Sequence, residues 1–167
     1  LDRLNHIMTS GEAWSEVGLG ETGETYIVGP DFKVRTQPRF LVSDPETFFD
    51  GIAAAGIEST TRDRMKSLGS AVGLLTVDTP GARMALDGQA GTQIFDDYRG
   101  EAVLSAYRKL ALPDVDWAIM SEMDQAEAFA EVRLLRNLTA LMLLATAIVA
   151  MGLAWWIARN LVAPLSA

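Results

Sequence analysis

Cysteine is absent from all 167 residues. That rules out disulfide bridges, thiolate nucleophiles and cysteine-ligated zinc, while leaving the compartment open, because many bridge-free proteins work outside the cytoplasm. Histidine occurs once, at His6, on an expected connector helix where an exposed or packing role fits it better, and no Gly-x-Ser-x-Gly is present, so nothing points to a Ser-His-Asp triad or a nucleophile elbow. Nothing favours paired acids for glycoside chemistry. The expectation is a chain without catalysis of its own, with no catalytic, cofactor-binding or metal residues and no cofactor. Positive charge is scarce too. There are 14 Lys and Arg against 22 Asp and Glu; every acid lies at or before Glu131, and the only basic residues after Gln125 are Arg133, Arg136 and Arg159. An acidic soluble part repels nucleic acid and anionic lipid. The opening residues lack the basic, apolar and small-residue order of a signal peptide, so an upstream segment is expected to deliver the domain, the chain being a fragment or a processed product.

What the sequence does have is a long uncharged run. Between Arg136 and Arg159 no residue carries a charge. At ~1.5 Å per residue the span 137–158 covers about 33 Å, enough for a hydrocarbon core of roughly 30 Å. Trp155 and Trp156 near its end favour the headgroup layer, and Arg133, Arg136 and Arg159 mark its two edges. These five are the expected membrane-interface residues. Arginine counts on the two sides do not fix the orientation.

Before that run, the pattern alternates between elements. Leu1, Leu4, Ile7 and Met8 recur at helical spacing and predict a connector helix in 1–17. A β-rich stretch at 24–29, a turn at Pro30 and Asp31, and a return strand within 33–42 interrupted by Pro38 predict a hairpin. Ser43, Asp44, Pro45 and Glu46 supply a helix start, Phe48, Phe49 and Ile52 its apolar stripe, and Gly56 its end. Arg62 to Leu68 adds a turn or two. Thr79 and Pro80 open a further helix that Gly88 closes, and strands follow at 92–97, 102–110 and 117–124. Asp124, with Glu127 three residues on, is placed to cap one continuous helix over 125–160. Five strands with helices inserted after the first pair predict an α+β domain, an antiparallel sheet with helices on one face.

Three sets of residues carry possible chemistry. Gly18, Gly20 and Gly23 fit a dinucleotide-binding spacing, but here a strand follows where a helix is needed, and Glu21 and Glu24 repel pyrophosphate. They read as a flexible approach to the first strand. Asp96, Asp97, Asp114 and Asp116 are oxygen donors of the kind calcium takes, yet their spacing fits no EF-hand loop and turn roles fit better. Tyr26, Arg35, Arg39, Tyr98 and Tyr107 are the residue types that line small-molecule pockets, with Tyr26, Arg39 and Tyr107 the candidates for ligand binding. Core packing for the tyrosines and surface positions for the arginines account for the same residues better.

The blocks GLGETGETYIVGPD at 18–31, DYRG at 97–100 followed by VLSAYR at 103–108, and DWAIMSEMD at 116–124 resemble the membrane-proximal half of double Cache sensor domains. The resemblance runs over nearly the whole chain. It implies a PAS-like fold with a five-stranded antiparallel sheet over 18–124, sited outside the cell in chemoreceptors, histidine kinases or nucleotide cyclases. It also implies that 1–17 follows a membrane-distal half that usually holds the small-molecule ligand. RNLVAPL, which begins at Arg159, is similar to the opening of a HAMP linker, here 161–167; Ala163 stands where that linker often has a basic residue. Catalytic output would lie in a cytoplasmic domain beyond it. Two functions follow as expectations. One is the periplasmic sensory module of a bacterial inner-membrane receptor with a cytoplasmic C-terminus, paired with a second copy of itself. The other is a single-span accessory subunit packed on a larger membrane complex. Small residues along the span, Ala145, Ala147, Ala150, Gly152 and Ala154, permit close helix packing in either.

Overall fold

The computed structural model describes residues 6–8, 14 and 16–162. Most of the expected connector and residues 163–167 of the expected HAMP-like linker lie outside these residues, and 6–8 are helical. The chain divides into two compact units, Leu1–Ala128 and Phe129–Ala167.

In the first unit, strand β1 (Glu24–Val28) is followed by helices α1 (Arg39–Ser43), α2 (Pro45–Ala54), α3 (Ser59–Leu68) and α4 (Pro80–Leu86). Strands β2 (Gly91–Asp96), β3 (Ala102–Lys109) and β4 (Ala118–Asp124) come next, and the short helix α5 (Gln125–Ala128) closes the unit. The helix starts are those the sequence advertises. The Asp44 side chain accepts from Thr47 N with Pro45 in the first turn, and Thr79 does the same for Ala82 N ahead of Pro80. Helix α3 stops at Gly69, whose φ of 59° suits a residue without a Cβ.

The sheet has four strands in the order β1-β4-β3-β2, every neighbouring pair antiparallel. Its strands alternate, so one face of β1, β3 and β4 is buried. Tyr26, Val28, Tyr107, Ala118 and Met120 from that face meet Phe48, Ile52, Met65 and Leu75 in a single core. Burying each large side chain contributes roughly 1.5–3 kcal/mol.

The expected fifth strand does not form, and the sheet is corrected to four. Beside β1 the return segment is reduced to an isolated bridge, Val28 with Val34. Arg35 N still donates to Ile27 O. The next ladder position, however, is taken by a side chain, the Thr36 hydroxyl accepting from Ile27 N at 3.0 Å. Pro38 then precedes α1 directly, with no N–H to extend a ladder.

The second unit is helix α6 (Ala130–Ile157), 28 residues long, ending in a π-helical turn at Ala158–Val162. The segment Ala130–Asn160 has a mean hydropathy of 2.1 and is long and apolar enough to cross a membrane. Its two threonines return their hydroxyls to the helix, Thr139 to Leu135 O and Thr146 to Met142 O, so neither hydroxyl needs water. In place of one uninterrupted helix over 125–160, helix ends at Ala128 and resumes at Ala130. Phe129 between them has φ −110° and ψ 13°, outside the helical well. Asp124, the expected cap, is engaged elsewhere: its carboxylate accepts from Arg99 Nη2 at 2.6 Å.

Candidate functional site

The feature that departs most from an ordinary core is a row of polar side chains across the buried face of the sheet. Register sets it. Glu24 on β1 is paired with Glu122 on β4, and Glu122 is paired with Ser105 on β3, so the three stand side by side on one face. All are buried, Glu24 at 2% exposure, Glu122 at 3% and Ser105 at 0%. Asp97, from the turn joining β2 and β3, completes the group, and one oxygen each from Glu24, Asp97 and Glu122 lies within 4.8 Å of the others.

Tyrosines and one arginine orient these acids. Tyr98 donates to Glu24 Oε1 and Tyr26 to Glu122 Oε2, each at 2.7 Å. The two rings meet edge to face at 5.9 Å. Glu24 Oε2 accepts from Arg39 N at 3.0 Å. Arg99 Nε donates to Asp97 Oδ2 at 2.6 Å, and its guanidinium stacks 4.0 Å over the Phe40 ring. Asp97 Oδ1 also accepts from Arg99 N and Glu101 N, which fixes the turn before Gly100. Among the described residues three buried side-chain atoms are left over, Arg39 Nε and two in the row. Glu122 Oε1 and Ser105 Oγ are buried without a hydrogen-bond partner of good geometry.

Burial dominates the electrostatics. It pushes the Glu24 carboxyl up to about 8, with Tyr98 opposing and the Glu122 charge adding. Glu122 is pushed up to about 7 by burial, against the nearby hydroxyls of Tyr26 and Ser105. Asp97 is also raised by burial, partly offset by Arg99. At neutral pH the row therefore holds protons that a solvated carboxylate would have released.

Next to the row, the glycine-rich approach to β1 is folded around a carboxylate. Glu127 on α5 accepts from Glu21 N and Thr22 N at 2.8 Å each, and from the Thr22 hydroxyl at 2.5 Å. The hydrogen bonds, led by that of the Thr22 hydroxyl, hold its carboxyl below the usual range. Arg39 takes the other side of the loop, donating to Gly23 O at 2.6 Å and Gly20 O at 3.0 Å. Gly20, at φ 58°, leaves no room for a Cβ, which would fall on the Glu127 carboxylate. The loop thus does bind an anion through its N–H groups, but the anion is a side chain of the same chain.

Of the residues expected to bind ligand, Tyr26 and Arg39 come together at the row, one by its hydroxyl and one by its backbone N–H. Tyr107 does not. It lies further along β3, where its hydroxyl reaches Met84 Sδ at 3.3 Å. Arg35 pairs with Asp31 at the first turn, and Asp116 with Lys109 at 2.8 Å. The sequence reading missed Glu24, Ser105 and Glu122. In the second unit Trp155 and Trp156 are exposed, and the Arg159 guanidinium sits 5.3 Å from the Trp155 ring.

No family model matches this chain, and no curated protein does. Among solved structures, the extracellular domain of a presumed histidine kinase, mmHK1S-Z3, is 17% identical with a TM-score of 0.38, over 73% of this chain. The chain spans 37% of that structure's length.

Proposed function

We propose that this chain is the extracytoplasmic sensory module of a bacterial transmembrane receptor, anchored in the inner membrane by α6 with its C-terminus in the cytoplasm. The observation that carries the reading is the order of the chain at the end of the sheet. Strand β4, which presents Glu122 to the buried row, ends at Asp124. Helix α5 begins at the next residue, and the membrane-length helix begins at Ala130. Whatever displaces β4 acts on the segment that leads into α6, with only Phe129 standing between two helical stretches. Such a segment has two arrangements to choose between when a ligand or partner favours one. The four-stranded α+β fold and the acidic composition of the soluble part agree with this placement.

The absence of native cysteine makes the topology testable with single cysteines. Asp87→Cys, at an exposed turn, is expected to react with a membrane-impermeant maleimide in intact cells, whereas Asn160→Cys reacts only after lysis. Protection of Asp87→Cys until lysis refutes the reading. Purification in fixed stoichiometry with other membrane subunits, without self-association, replaces it with the accessory role.

A further inference from the structure

We propose that the polar row is a binding site for one hard divalent cation of calcium's size, ligated by Glu24, Asp97 and Glu122 with the Ser105 hydroxyl as a fourth oxygen. The inference stands on the first unit alone, whether or not the module signals.

Spacing is the first ground. One oxygen from each acid lies within 4.8 Å of the other two. Calcium binds oxygen at about 2.3–2.6 Å, so ligands on opposite sides of it stand roughly 4.6–5.2 Å apart. Three oxygens cannot all lie opposite one another; spaced evenly around one ion they stand about 4.0–4.5 Å apart for calcium and about 3.5–3.6 Å for magnesium, so separations of up to 4.8 Å are nearer to calcium's. The donors are all oxygen, with no imidazole or thiolate among them, which favours a hard cation over zinc or copper.

Unused valence is the second. Glu122 Oε1 and Ser105 Oγ make no hydrogen bond of good geometry, although both side chains are at least nine-tenths buried and stand as a cross-strand pair. Leaving such atoms unpaired costs free energy that a ligand removes. The occupied oxygens point the same way, since the Tyr26 and Tyr98 hydroxyls hold the carboxylates as outer partners hold metal ligands.

Charge is the third. Three carboxylates face the Arg99 guanidinium, which also serves Asp124; Arg39 reaches Glu24 with its backbone, while its Nη1 and Nη2 donate to loop carbonyls and its Nε makes no hydrogen bond.

The probe is terbium, a calcium-sized ion whose emission is sensitised by nearby tyrosine. The full chain in detergent, stripped with a chelator, is titrated with TbCl3 under tyrosine excitation, then with CaCl2. The expected result is saturable emission at one ion per chain, displaced by calcium. Affinity should fall about tenfold or more in Glu122→Gln, fall by a smaller factor in Ser105→Ala, and stay unchanged in Asp116→Asn at the surface. Near-UV circular dichroism checks that each variant is folded, and Ser105→Ala carries the test if Glu122→Gln is not. No sensitised emission, or equal emission from the wild type and the row variants, overturns the site and leaves surface acids as the only binders.

Discussion

Replacing Arg99 by methionine removes the one guanidinium that serves two acids while keeping much of the side-chain stem. Its partner Asp97 has a fully buried side chain, and Arg99 itself is 9% exposed. Breaking a buried pair by deleting one member costs about 3–5 kcal/mol, because the remaining charge stays out of water. Asp97 keeps its backbone donors at residues 99 and 101, which places this case in the lower half of that range. Losing the cation stacked on Phe40 adds roughly 0.5–1 kcal/mol. The expected loss is therefore about 3.5–5 kcal/mol. Urea unfolding of the full chain in detergent, with chelator present and near-UV circular dichroism as the probe, measures it. Lys109→Met is the control: its partner Asp116 is 72% exposed, and such surface pairs contribute about 0–1 kcal/mol. Adding Asp97→Asn to Arg99→Met should recover at least half of the loss, since a neutral amide oxygen can still accept from the turn. If Arg99→Met costs no more than Lys109→Met, or if Asp97→Asn recovers nothing, the buried-pair argument is wrong.

Stability should also depend on pH in a direction opposite to that of a surface carboxylate. Glu24 and Glu122 titrate at about 8 and about 7 in the folded chain against an ordinary 4.5. Between those values the folded state binds more protons than the unfolded one, so their stabilising effect is full below 4.5 and is lost as pH rises through 7 to 8. At about 1.4 kcal/mol per pH unit, going from pH 5 to 8 without divalent ions should cost roughly 3 kcal/mol through Glu122 alone. Glu122→Gln should flatten the urea midpoints by that amount, and an unchanged slope would rule the assignment out. At the loop, Gly20→Ala should cost about 1–3 kcal/mol through its left-handed backbone and should displace Glu127, read as faster amide exchange at Glu21 and Thr22. Unchanged protection of those two amides contradicts the loop geometry.

The punctuation of the fold was legible where a single residue type fixes the backbone. Asp44 with Pro45, and Thr79 with Pro80, start helices where expected. Strands β1, β2, β3 and β4 fall within a residue or two of their expected positions. The lost fifth strand turned on Thr36, a good strand former whose hydroxyl took the Ile27 N–H that the Arg35 carbonyl would have accepted in a continued ladder. The break at Phe129 carries no glycine or proline to announce it. The polar row was hidden for a different reason: Glu24 and Glu122 become neighbours only through the register of β1 and β4. A trace of it was present, because in each strand the glutamate keeps the same parity as buried residues, with Tyr26 and Val28 in one and Ala118 and Met120 in the other. Asp97 was weighed as a turn former and does form the turn, while also facing the row.

The grip of residues 21 and 22 on Glu127 does more than set a shape. Three donors converge on that carboxylate one residue before Ala128, where the first unit ends. Hydrogen bonds to a charged group contribute about 1.5–3 kcal/mol each, fewer where water competes. Through that one carboxylate the loop before β1 and α5 after β4 are fastened to each other, so the two ends of the first unit's sheet sequence share a single fastening point.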